Sequence, residues 1–127
     1  MKNPWFVGAA VVAVSIGLLH SFLGERLVLR PLERLDGLPQ LLGSRRFMVR
    51  VLRFAWHITT VLLVGMAAIG IVIASDGVSR TAGSTAKVVA VTYLVCAAVA
   101  IVGSRGRHFS WVLFLAAGLA MWVGAIR

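Results

Sequence analysis

The chain holds little of what soluble or redox chemistry draws on. Only 13% of its residues are charged, and the acidic ones are Glu25, Glu33, Asp36 and Asp76. None of these carboxylates falls inside a long apolar run, which argues against a proton relay through a membrane-buried acid. A single cysteine, Cys96, leaves no disulfide framework and no CxxC metal or redox motif. It reads as a small buried residue of a helix. HExxH, GxSxG and Walker sequences are all missing, so hydrolytic and nucleotide chemistry have no motif to rest on. The balance favours a protein that is not an enzyme.

What is abundant is apolar. Sixty per cent of the residues are hydrophobic and the mean hydropathy is +0.95, beyond the range of a soluble domain. The apolar residues gather into runs at 5–23, 51–74, 86–102 and 109–126. Each reaches or approaches the roughly 17–25 residues with which a helix crosses about 30 Å of hydrocarbon. A segment in lipid must satisfy its own backbone, so helix is the expected state of each run. The expected fold class is therefore all-α, an integral membrane four-helix bundle, with residues 1–127 forming a single membrane domain. Met1 and Lys2 precede the first run as in a signal peptide. No small-x-small cleavage site or lipobox cysteine comes after it, and a retained span is expected.

The net charge of +9 is explained by where the charges stand. With four spans, Lys2, Arg80, Lys87 and Arg127 share one side. Arg26, Arg30, Arg34, Arg45, Arg46, Arg50, Arg53, Arg105 and Arg107 share the other. Short cytoplasmic loops carry the excess of Lys and Arg, which places both termini away from the cytoplasm. Trp5 and Trp122 fall near that outer interface. The basic inner surface calls for the bilayer and its anionic lipids as partners, and not for nucleic acid.

Two connections are short and one is long. Residues 104–107 read as a tight turn joining a helical hairpin, and 76–85 as a Gly/Ser/Thr-rich outer loop. In 24–48, Leu27, Leu29, Leu32, Leu35, Leu38, Leu41 and Leu42 alternate with charges and are punctuated by Pro31, Gly37, Pro39 and Gly43. Two short amphipathic helices lying in the inner interface fit that pattern. Small residues recur every four positions at Ala9, Ala13, Gly17 and Ser21, and again at Ala116, Ala120 and Gly124. Such stripes let helices approach closely, within one bundle or between protomers of a homo-oligomer.

Candidate chemistry centres on the histidines. His20 ends the first span, His57 lies one to two turns inside the second, and His108 opens the fourth. His57 is the deepest, and an ionisable residue inside a span faces the protein interior or a wet cavity. His108 reads as an interfacial residue. Arg46, Arg50, Arg53 and His57 are spaced by four, three and four, which sets them on one helical face that Thr60 continues. The plain alternative has the arginines snorkelling to lipid phosphates and His57 bonding to a backbone or a threonine. As a ligand site, His20, His57, Arg50, Arg53, Glu25 and Thr60 are the candidates. A divalent metal could take His20, His57 and Glu25, although the arginines oppose a cation. Haem b could take His20 and His57 as axial ligands, with room made by Gly17 and Gly24 and with Arg50 and Arg53 on its propionates. A quinone or a lipid headgroup would suit the arginines equally.

The passages His20-Ser-Phe-Leu-Gly-Glu25 and Arg53-Phe-Ala-Trp-His57-Ile-Thr-Thr60 together resemble a group of small bacterial four-span membrane proteins of unassigned function, across most of the chain. The resemblance implies a bacterial inner-membrane protein and points to the same two histidines. The carboxylate that small multidrug transporters need in their first span is missing here. Three function classes remain: a haem- or quinone-binding redox or accessory protein, an oligomeric channel or transporter with His57 in its path, and an assembly subunit of a larger membrane complex.

Overall fold

The computed structural model describes residues 3–41, 43–76 and 79–127. Lys2, Leu42, Gly77 and Val78, which entered the charge count, the leucine pattern and the outer loop, lie outside the described residues. The described chain is all-α apart from one isolated bridge between Leu41 and Ser44. Four helices account for it: α1 (Pro4–Glu33), α2 (Arg45–Asp76), α3 (Arg80–Ser104) and α4 (Ser110–Ile126). The first three are long and apolar enough to cross a membrane, and α4 is a shorter apolar helix of 17 residues.

Both α1 and α2 outrun their apolar stretches. At 1.5 Å per residue their 30 and 32 residues extend about 45 and 48 Å, against about 30 Å of hydrocarbon. The surplus lies at one end, where α1 finishes and α2 begins, and forms a polar two-helix stalk. This replaces the two interfacial helices expected between residues 24 and 48. The first is instead a direct continuation of α1, and the second is absent: residues 34–44 are irregular among the described positions.

Pro31 reads as a helix breaker, yet the helix passes through it. Glu25–Leu29 form a wide turn, closed by the Arg30 N–H donating to the Glu25 carbonyl. Inside a regular helix the Pro31 ring would press on the carbonyl four residues back, and a widened turn in front of it relieves that clash. The extra residue also changes the helical phase, so that Leu29 is buried while Leu27 and Val28 stay exposed. Ser44 starts α2 by accepting from the Phe47 N–H at 3.2 Å.

The helices pack in the order α2, α1, α4, α3, and the consecutive pair α2 and α3 meets only lightly. Phe6, Ala9, Ala10 and Ala13 of α1 form one core with Ala67, Ile73 and Ala74 of α2, Ala86, Val89, Ala90 and Tyr93 of α3, and Ala117 and Met121 of α4. The α1 stripe therefore packs inside the bundle: Ala9, Ala13 and Gly17 are buried, and a Cβ on Gly17 would sit 3.3 Å from Thr60 Cγ2. On α4 the expected stripe holds at Gly124, which is buried, and at Ala120, which packs on the core, and fails at Ala116. Ala116 is exposed, and the buried face is Ala117, Gly118, Met121 and Gly124, because α1 and α3 press on that side of the helix.

Local bonds define the two ends of the bundle. Asn3 caps α1 by accepting from the Trp5 N–H at 3.1 Å and donates to the Gly124 carbonyl at 3.2 Å, while Arg127 lies over the Trp5 ring. At the other end, Arg105 and Gly106 take the left-handed conformation, and the Gly106 N–H closes α3 on the Ile101 carbonyl at 2.8 Å. That turn shares its end of the bundle with the stalk. Helix α3 starts at Arg80 and is capped by Ser79, so 80–85, read as outer loop, already belongs to the helix.

Candidate functional site: a polar seam and a basic cleft

Below the alanine-rich core, the contact between α1 and α2 changes from apolar to polar. Gly17, Ser21 and Glu25 succeed each other at four-residue steps on α1, facing Thr60, His57 and Arg53 of α2. Thr60 Oγ1 donates to the Gly17 carbonyl at 3.2 Å and lies 2.7 Å from Ser21 Oγ, which lies 2.8 Å from His57 Nδ1. With the Thr60 hydrogen used on Gly17, Ser21 donates to Thr60 and His57 Nδ1–H donates to Ser21. The other ring nitrogen of His57 stands 3.6 Å from Glu25 Oε2, an ion pair only when the imidazole is protonated.

His20 belongs to a second unit beside this line. Thr59 Oγ1 donates to the Trp56 carbonyl at 2.7 Å, which leaves it to accept from His20 Nε2 at 3.0 Å. Trp56 Nε1 donates to the His20 carbonyl at 3.0 Å. The two rings stack at 4.6 Å with 7° between their planes. Each histidine thus joins α1 to α2 through bonds of its own. His108 is exposed and works at the head of α4, with Nδ1 2.8 Å from Ser110 Oγ.

Gly17 and Gly24 do not leave open space at the histidines. A Cβ on Gly24 would fall 2.0 Å from Trp56 Nε1, so this glycine exists to admit the indole. The clearance expected for a macrocycle is filled by Thr60 and Trp56, and His20 Nε2 bonds to Thr59 while His57 Nε2 faces Glu25, so the two do not converge on a common ligand. Among the described residues, no group of three or more His, Cys, Asp and Glu side chains is placed to hold a metal ion.

Beyond the seam stand the charges of the stalk. Glu25 accepts from Arg53 Nε at 3.1 Å and, more loosely, from Arg30 Nε at 3.4 Å. Partial desolvation works to raise the Glu25 pKa. The bond and charge of Arg53, with Arg30 and His57, outweigh it and hold the carboxyl below its ordinary value. The second arm of Arg53 donates to Glu33 at 3.0 Å. Arg45 donates to Asp36 at 3.1 Å and to the Glu33 carbonyl at 2.8 Å. Between them opens a polar cleft of about 190 Å³, lined by Glu33, Arg45, Arg46, Val49, Arg50 and Arg53.

The candidate residues therefore divide. His20, His57 and Thr60 lie in the seam, Arg50 lies in the cleft, and Glu25 and Arg53 connect the two. Sequence reasoning passed over four contributors: Ser21, taken as a packing residue, and Trp56, Thr59 and Glu33. The four-residue steps 17–21–25 on α1 carried a signal for Ser21. No family model, curated protein or solved structure matches the chain. By fold and site, the protein is a four-helix bundle with three helices fit to span a membrane and a basic two-helix stalk at one end.

Proposed function

We propose that this is a bacterial inner-membrane protein whose cytoplasmic end binds an anionic ligand in the stalk cleft. Arg46 and Arg50 carry the reading. Both are exposed and line the cleft, and among the described residues neither has a hydrogen-bond or ion-pair partner, whereas Arg45 and Arg53 beside them are paired. Basic residues concentrated at the stalk end support a cytoplasmic orientation by the positive-inside rule, and an anionic leaflet surface attracts such a cluster. In this reading the seam is a strut. His20, His57 and Thr60 hold α1 and α2 in register, so that Arg46, Arg50 and Arg53 line the cleft together.

The test is thermal unfolding of the full chain in nanodiscs of phosphatidylcholine alone or with added phosphatidylglycerol. Anionic lipid should raise the midpoint of the native protein, by the general linkage between binding and stability. The gain should shrink in the double variant Arg46→Gln/Arg50→Gln. A native protein indifferent to anionic lipid would contradict the reading.

A further inference from the structure

The pairing pattern in the cleft also indicates which anion it fits. Arg46 and Arg50 are four residues apart on α2, which sets their Cβ atoms roughly 5–6 Å from each other on one face. Their guanidinium groups can close on a single small group. A cleft of about 190 Å³ is below the roughly 300–1,000 Å³ of pockets that enclose whole drug-sized ligands, and suits a compact head. Two uncommitted positive charges are matched by a dianion. A phosphomonoester carries about −1.5 to −2 charges at pH 7 and offers three strong acceptor oxygens. A phosphodiester or a carboxylate carries one charge and fewer free oxygens. Planar arginine forks suit phosphate oxygens geometrically.

Glu33 adds a second observation. Its carboxylate forms part of the cleft wall and sits 3.0 Å from Arg53 Nη2, with 55% of the side chain exposed. An anion borne by the chain itself already occupies one arm of Arg53. An exposed pair of this kind is held weakly, so an incoming group of higher charge can displace it and recruit Arg53 as a third donor.

We infer that the cleft of Arg46, Arg50 and Arg53 is a binding site for a dianionic phosphomonoester, with Glu33 as its built-in competitor. The inference rests on the reading that the stalk binds anions. The ligand is either a lipid headgroup ending in phosphate or a soluble phosphomonoester.

Calorimetric titration of the full chain in a neutral detergent tests it, with short-chain phosphatidic acid, short-chain phosphatidylglycerol and glycerol phosphate as probes. Phosphatidic acid should bind about tenfold more tightly than phosphatidylglycerol, the scale of one added charge-assisted contact. The preference should vanish in Arg46→Gln/Arg50→Gln, whose altered side chains are exposed. Glu33→Gln should tighten phosphatidic acid several-fold. Competition by glycerol phosphate supports the site with a soluble ligand, and binding of the lipid alone supports it with a headgroup. Equal affinity for the two lipids, or a preference that survives the double variant, overturns the dianion site while leaving anion binding in place. Weaker or unchanged binding in Glu33→Gln overturns the competitor role. Failure of every anion to bind removes the underlying reading as well.

Discussion

Replacing Gly24 by alanine would test the register of α1 against α2 at its tightest point. The new Cβ would lie 2.0 Å from Nε1, 2.3 Å from Cε2 and 2.6 Å from Cζ2 of Trp56, so a rigid ring must move as a whole. Trp56 is held by its bond to the His20 carbonyl and by its stack on the His20 ring. Breaking the bond costs about 1 kcal/mol, rising toward 3 where the donor finds no new partner. The lost stack adds about 0.5–1.5 kcal/mol. Trp56 is only half-buried, so water can recover part of this, and the expected loss is about 2–3 kcal/mol, within the range for overpacking. Titration with a denaturing detergent, monitored by helicity, would measure the loss, and the emission of the native protein less that of Trp56→Phe would track the indole. Gly65→Ala is the control: its Cβ meets nothing within 4 Å, so stability should hold or rise. Unchanged stability and unchanged Trp56 emission in Gly24→Ala would refute this packing of α1 on α2.

Other parts of the structure make their own predictions. Tyr93 is 1% exposed and its hydroxyl has no partner among the described residues, so Tyr93→Phe should stabilise the protein by about 1 kcal/mol; a loss in the same detergent titration would reveal a partner. Gly124→Ala drives a Cβ to 2.7 Å from the buried Phe6 ring, and should cost about 1–3 kcal/mol, read as a lowered midpoint. His57→Ala leaves Ser21 without its imidazole and takes one of three partners from Glu25, and should cost about 1–2 kcal/mol. Glu25, held below its ordinary pKa, supplies stability that is complete above the unfolded carboxylate value of about 4.3 and fades as pH falls through the folded value. A midpoint-against-pH profile should show that fall in the native protein and a smaller one in Glu25→Gln.

Most of what depends on one helix was legible in the sequence. The four apolar runs, the face shared by Arg46, Arg50, Arg53 and His57, and the gathering of arginines at one end come from local period and loop parity. The pairing of faces was not, because it depends on how two helices lie against each other. Ser21 read as one more small residue until His57 and Thr60 came across the seam. Gly24 read as room for a ligand, whereas it marks the passage of Trp56. Pro31 pointed to a separate helix because a wide turn of the backbone leaves no residue signature. On α4, alanines and glycines on several faces allowed more than one stripe, and contact with α1 and α3 chose the one beginning at Ala117.

The central claim is that the uncommitted arginines of the stalk hold a phosphate-bearing anion. Native mass spectrometry of the protein released from bilayers of phosphatidylcholine, phosphatidylglycerol and phosphatidic acid addresses it most directly. One retained phosphatidic acid on the native chain, and none on Arg46→Gln/Arg50→Gln, is the expected result. Equal retention by both proteins, or no anionic lipid on the native chain, would contradict the account.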